Sequence, residues 1–535
     1  NAYTPYHILY GDKVVGDSVK VVSESYPYYS APQTFIKIYD ISDRENPELA
    51  REIKADGNYF DSRMIGGWAY AVVNAPVNDI ERPVLPAVIS DGLRAEVAPS
   101  KVHYFDIPDY SYQFTTFLAI DISKDDSGIE SKTFLTGSTQ NLYVSNSNIY
   151  AISQRRLSEI ELMDDVLDII ISELPAEVSS RIRQIQGSDL DRTEKYRAIS
   201  EVMNSYFSEI SYEEQERIRK KAEARMIEIA RKAEQTIIHR IEISDGKIEY
   251  KAGGLVPGTV LNQFSMDEFD GKFRIATTVQ AGRSQSENNV YVLDEGMDII
   301  GRLEGLAPGE RIFSARFIGD KAYLVTFRRI DPLFVIDLSS PSSPRVAGEL
   351  KIPGFSDYLH PYDENHIIGI GRDIDPETNR DLGVKIGLFD VSDPASPKEV
   401  AKFVAGEGTY SEALQDHKAF LFNKEKSLLV LPMTKYSFWA EPAIGGEILP
   451  APKPFNGAYV FEITEDGIEL RGRVEHTADG EGPYYYTPQV RRSLYIEDVL
   501  YTISESAIKA NSLGDLEGIG SVQLGESLPV PEIAR

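Results

Sequence analysis

The stretches "SRMIGGWAYAV" (62–72) and "ARFIGDKAYLV" (315–325) share six residue types in register. The matches are Arg63/Arg316, Ile65/Ile318, Gly66/Gly319, Ala69/Ala322, Tyr70/Tyr323 and Val72/Val325. Each stretch is an apolar run, a tight glycine turn and a second apolar run, which reads as a β-hairpin. A second unit also recurs, in "FIKIYDISDRENPELAREI" (35–53), "LFVIDLSSPSSPRVAGEL" (333–350) and "KIGLFDVSDPASPKEVAKF" (385–403). Here an alternating strand ends in an acidic residue, a Ser/Pro turn follows, and another strand begins. The acidic position is Asp40, Asp121, Glu242, Asp294, Asp337, Asp390 and Glu462 along the chain. A short acceptor at a strand end can bond turn amides, so this ladder reads as structural.

The two units alternate. Calling the hairpin a–b and the second unit c–d, a–b pairs lie near 7–23, 60–73, 138–152, 261–277, 313–326, 355–370, 411–431 and 490–503. Four-stranded antiparallel units in tandem are the signature of a β-propeller. The fold class is therefore all-β, and the chain 1–535 reads as one propeller of eight blades. Seven is the alternative, if a terminal unit only closes its neighbour.

Composition narrows the function classes. Hydrophobic residues make up 42% and charged residues 26%, ordinary for a soluble globular chain. Without cysteine there is no disulfide framework, thiolate nucleophile or cysteine-ligated metal. A net charge of -28 repels nucleic acid and anionic membrane, so neither is expected as a partner. No apolar run approaches a membrane span, so no transmembrane segment is expected.

Extra length falls mostly between strands b and c, at 24–33, 76–113, 155–235, 279–288, 371–384 and 433–457, and between d and a at 476–488. In an antiparallel blade those two connections leave from the same face, which makes that face loop-rich and the expected binding face. Its loops carry Trp439, Tyr484, Tyr485 and Tyr486, aromatics suited either to gripping a peptide or glycan or to pinning the loops themselves. The insertion 155–235 is helical, with an apolar stripe through Leu167, Ile170 and Leu174, a break at Pro175 and a capping box at Ser211 and Glu214. It reads as a helical subdomain inside the third blade, a lid or a self-association element.

Aligning the starts of the a strands gives Asp61-Ser62-Arg63, Asn262-Gln263-Phe264, Ser314-Ala315-Arg316, Ser356-Asp357-Tyr358, Ser411-Glu412-Ala413 and Arg491-Arg492-Ser493. These residues are expected to face the channel. Asp61, Arg63, Ser314, Arg316, Ser356 and Arg491 are the candidate ring for an anionic ligand group, a hydrated channel of paired charges being the alternative.

No zinc-protease, nucleophile-elbow, phosphate-loop or dinucleotide motif is present. The stretch "FSDYLHPYDENHIIGIG" (355–371) packs His360, Asp363, Glu364 and His366 together, but its acidic residues fall where the other hairpins turn. They are therefore expected to be solvated turn residues. In "DIDPETNRD" (373–381), Asp373, Asp375 and Glu377 alternate as calcium ligands would, without the glycine and terminal glutamate of a full loop. Calcium is the one cofactor this suggests, and none is required.

The segments "LNQFSMDEFDGKFRIATT", "LEGLAPGERIFSARFIGDKAYLVTF", "SEALQDHKAFLF" and "RRSLYIEDVLYTIS" resemble a family of secreted archaeal and bacterial proteins. That family has a C-terminal β-propeller domain distantly related to WD repeats. The resemblance implies the fold, and an exported or cell-surface location whose signal is absent from this chain. It implies no activity. The expectation is a binding or scaffold module for protein, peptide or glycan. The rival is a hydrolase- or lyase-type enzyme seated at the loop-rich end of the channel.

Overall fold

A computed structural model describes residues 32–77, 83–90, 92–104, 112–123, 129–157, 159–281, 285–327, 331–435, 455–476 and 488–524. The first a–b pair, most of the 433–457 and 476–488 connections, and with them Trp439, Tyr484, Tyr485 and Tyr486, lie outside the described residues.

Within them the strands form eight sheets, numbered here in chain order. In sheets three to eight each main strand pairs with the next one in sequence, giving the a–b–c–d order that the repeat predicts. Sheet five is typical, with strands Arg311–Ile318, Lys321–Phe327, Asp331–Asp337 and Arg345–Ile352. Gly66 and Gly319, aligned in the two opening stretches, take φ of 59° and 53° at the a–b turns. The side chain of most other residues would resist that left-handed conformation.

Period-two alternation divides each central strand between two neighbours. In the strand Leu428–Lys435, Leu429 and Leu431 pack towards sheet six, while Leu428 and Val430 pack towards sheet eight. Seven apolar clusters of this kind join each sheet to the next, from one through eight. The acidic ladder behaves as read at its five aspartates, while Glu242 pairs with Lys251 instead. Asp40, Asp121, Asp294, Asp337 and Asp390 each accept an N–H from the residue two further on, at 2.8 to 3.0 Å. Hydrogen bonds from Ser339 and Arg345 hold the Asp337 carboxyl down to about 2.

Three local readings change. The insertion 76–113 does not remain a face loop. Its hairpin Ala87–Ser90 and Leu93–Glu96 pairs with the outer strand Glu48–Asp56 of sheet one. Its segment Val102–Tyr104 then lies parallel on Glu130–Thr136, the edge of sheet two. An open edge offers unpaired N–H and C=O groups, and a long connection passing it satisfies them. The segments 279–288 and 371–384 are extended hairpin arms, paired as far as Ala281↔Gln285 and Ile374↔Asp381. Their polar composition hides a strand whose pairing is with the neighbouring strand, not with a core.

Four helices lie between the paired strands Asn148–Arg156 and Glu234–Ser244: α1 (Glu159–Glu173), α2 (Ala176–Gln186), α3 (Arg192–Glu209) and α4 (Tyr212–Ala233). Leu167, Ile171, Leu174, Ile182, Ile199 and Ile218 form their common core. Pro175 separates α1 from α2, as its missing N–H dictates. The full capping box belongs to Asp191 and Glu194 at α3. At α4 Ser211 accepts the Glu214 N–H, while the Glu214 carboxylate is taken by Arg217. Arg231 ties α4 to sheet four through two bonds to Glu287, at 2.6 and 3.0 Å. Among the described residues no helix is long and apolar enough to cross a membrane.

Candidate functional site

The first strands of sheets two to seven line a central channel, and their geometry is set by one repeated irregularity. In sheets two, three, five, six and eight the a–b register slips at Phe60, Gln140, Phe313, Asp357 and Arg491. A β-bulge twists the strand and re-aims the residue it frees. The slips also align the strands better than sequence does. Three positions past each bulge stand Arg63, Tyr143, Arg316, His360 and Leu494. Ser356 and Arg491 are thus not equivalents of Asp61 and Ser314.

Sheets four and seven break the pattern. Where the others continue as strand, they carry 3-10 turns, Gln263–Ser265 and Glu412–Leu414 with His417–Ala419. Side-chain oxygens start these turns: Asn262 accepts from Phe264 N at 2.9 Å and Asp416 from Lys418 N at 3.0 Å. The turns push side chains across the channel until they meet. Gln263 Nε2 lies 3.0 Å from His417 Nε2, and Gln263 Oε1 accepts from Arg63 Nη2 at 2.9 Å. Phe264 beside them meets His417 and Tyr358 edge-on, at ring separations of 4.8 and 5.2 Å.

This bar divides the channel into two cavities. The upper one, about 250 Å³, is lined by the beginnings of the a strands, at the end where the b–c and d–a connections leave. Gln140, Asn141, Asp357 and Gln415 line it, Gln140 and Gln415 exposed and the other two half-buried, and no side chain of these four has a hydrogen-bond partner among the described residues. Phe60, Phe264 and Tyr358 supply its apolar walls. Burial raises the Asp357 carboxyl to about 7, against the weaker pull of Arg372. His417, in the same wall, is pushed down by burial. The lower cavity, about 270 Å³, lies among the last residues of the a strands, next to the a–b turns. It is lined by Arg63, Tyr143, Phe264, Asp267, Arg316 and Phe317 among others.

The residues singled out from sequence separate accordingly. Asp61 lines the upper cavity, while Arg63 and Arg316 share the lower one. Arg491 lines neither, because Glu412 and Glu505 hold it at 2.8 and 2.7 Å. Ser314 and Ser356 are buried, and Ser314 Oγ donates to the Ser356 carbonyl at 2.6 Å, stitching sheet five to six. Gln140, Asn141 and Gln415 were missed. The first two stand at the polar start of a strand a that the alignment left out, so the signal was present. Gln415 depends on a 3-10 turn that no periodicity marks.

The acidic stretches take other roles. Asp363 is not a solvated turn residue. Its Oδ2 accepts from Lys424 Nζ of sheet seven at 2.7 Å, and its Oδ1 lies 2.9 Å from His366 Nδ1 and accepts from Asn365 N at 2.8 Å. In the calcium candidate, Asp375 accepts the N–H groups of Glu377 and Thr378. Asp373 is buried, 4.0 Å from Lys402, and Glu377 is exposed. Among the described residues no group of three or more His, Asp or Glu is placed to hold a metal ion.

The family described as a beta propeller domain matches residues 8–516, and the chain belongs to it. An uncharacterised protein of Methanocaldococcus jannaschii is 32% identical over 529 residues, 96% of this chain and 77% of the relative. One from Archaeoglobus fulgidus is 31% identical over 487 residues, 90% of this chain and 71% of the relative.

Proposed function

We propose that this β-propeller protein is a binding module, exported or displayed at the cell surface, that takes a neutral polar ligand into the upper cavity. The eight sheets are read as eight blades, with 155–235 as a helical subdomain inside the third. One observation carries the reading: Gln140, Asn141, Gln415 and Asp357 converge on one cavity with no bonding partner among the described residues.

Carboxamides both donate and accept, and so does a carboxyl in the protonated form that burial favours for Asp357. Sugar hydroxyls do the same, and their C–H faces rest on aromatic walls such as Phe60 and Tyr358. A glycan end therefore fits better than an anionic polymer, which the net charge of -28 also repels. A volume near 250 Å³ admits one small group, so the remainder of a ligand lies over the loop-rich face. No cofactor is needed; calcium at 373–381 is a separate proposal, tested by calcium titration.

A glycan and peptide array screen on the intact chain tests the proposal. A hit should lose more than about 1 kcal/mol of binding energy in Gln140→Ala/Asn141→Ala, the size expected of a hot spot. Unchanged binding by the folded variant moves the site elsewhere. One observation supports the enzyme reading: a carboxyl near neutrality and His417 share the cavity, as an acid–base pair would. Turnover of an array hit, abolished in Asp357→Asn while binding persists, would favour the hydrolase or lyase.

A further inference from the structure

The lower cavity carries one positive charge, Arg316, that no group in its wall pairs with directly; the Asp267 carboxylate acts on it only through space. Arg63 donates to Asp61 at 2.7 Å. Arg274 grips the Asp267 carboxylate with two nitrogens, and Tyr143 Oη reaches the other oxygen at 3.4 Å. Arg316, by contrast, has no hydrogen bond or ion pair among the described residues. Its guanidinium lies 4.7 Å from the Phe264 ring centre. The other channel arginines, Arg491 and Arg492, are held by Glu412 and Asp416. A channel that is merely hydrated has no need of the exception, because a half-buried guanidinium without a partner costs free energy. Burial indeed draws the Arg316 pKa below its usual value.

We infer that the lower cavity is a carboxylate-binding site with Arg316 as its anchor, entered from the face of the short a–b turns. The planar guanidinium offers paired N–H groups at the spacing of the two carboxylate oxygens. A single uncompensated charge calls for a monovalent group. The Phe264 face holds the guanidinium from behind, and Phe317 and Tyr143 give the cavity apolar and hydroxyl surface for the carbon next to the carboxylate. The site is separate from the upper cavity, divided from it by Gln263, so either proposal can fail without the other.

The test uses the whole chain and acetate as probe, followed by thermal unfolding and calorimetry at constant ionic strength. Acetate should raise the unfolding temperature saturably, while acetamide and chloride at matched ionic strength should not. Arg316→Met should unfold no earlier than the parent and lose the acetate response. Arg316→Gln, polar and uncharged, should also lose it, and Arg316→Lys should shift the acetate midpoint about tenfold or more, the cost of losing the paired donors. A parent that does not respond to acetate overturns the inference. So does a response that survives in Arg316→Gln. An Arg316→Met chain that unfolds well below the parent would mark the guanidinium as structural, and would overturn it too.

Discussion

The strand Phe355–Pro361 of sheet six begins in the channel and runs out to the surface turn, with an aspartate at each end. Asp357, freed by a bulge, has no hydrogen-bond partner among the described residues and is raised to about 7 by burial. Asp363 is only partly buried; that burial works against its charge, yet Lys424, the Asn365 N–H and His366 hold it at about 2. Two carboxyls of one short segment thus differ both in how deeply they are buried and in the partners they find. The channel end keeps a polar group unspent, whereas the turn end uses one to fasten sheet six to sheet seven. A largely buried carboxyl without a partner is costly in a fold, so Asp357 points to a task outside it.

The contrast can be broken most strongly at Phe264, whose ring packs against Tyr358, the neighbour of Asp357. Phe264→Ala should cost about 3 kcal/mol in chemical unfolding, as for other truncated aromatics. It should also let water reach Asp357 and lower its pKa, as followed by NMR titration. An Asp357 pKa unchanged in that variant would show that the ring does not shield it.

Asp363→Asn comes next, with an expected loss of about 2 kcal/mol at neutral pH, the scale of charge-assisted hydrogen bonds. Because the folded pKa is depressed, this contribution is present above pH 4 and disappears as pH falls towards 2. Lys424→Met should lose a similar amount, and the double variant less than the sum. Additive losses would deny the pairing.

Asp357→Asn should have the opposite sign. The folded chain binds this proton more tightly than the unfolded one, so the group's contribution is full below about pH 4 and is lost as pH rises through 7. Asparagine removes that loss, so the variant should be more stable than the parent at pH 8, the gain fading to nothing at pH 4. His360 and His476 act the other way. Burial lowers both to about 4, so they remove stability as pH falls from 6.5 to 4. A gain for Asp357→Asn that is equal at pH 4 and pH 8 would mean its carboxyl titrates normally.

Sequence by itself determined the repeat, the all-β architecture and the role of the acidic ladder. All three rest on local rules: side chains alternate along a strand, glycine fits a left-handed turn, and a short carboxylate bonds the amides that follow it. It also marked Asp61, Arg63 and Arg316 as channel residues, because strand a begins polar beside an apolar run. What only the tertiary structure decided is which of these groups share a cavity and which are already spent. The bulges shift register by one residue, the 3-10 turns of sheets four and seven carry Gln263 and His417 across the channel, and Arg491 finds carboxylates that neither its neighbours nor its spacing announce. A hydrogen bond between residues more than 150 positions apart leaves no trace in local pattern, since its energy depends on distance in space and not along the chain.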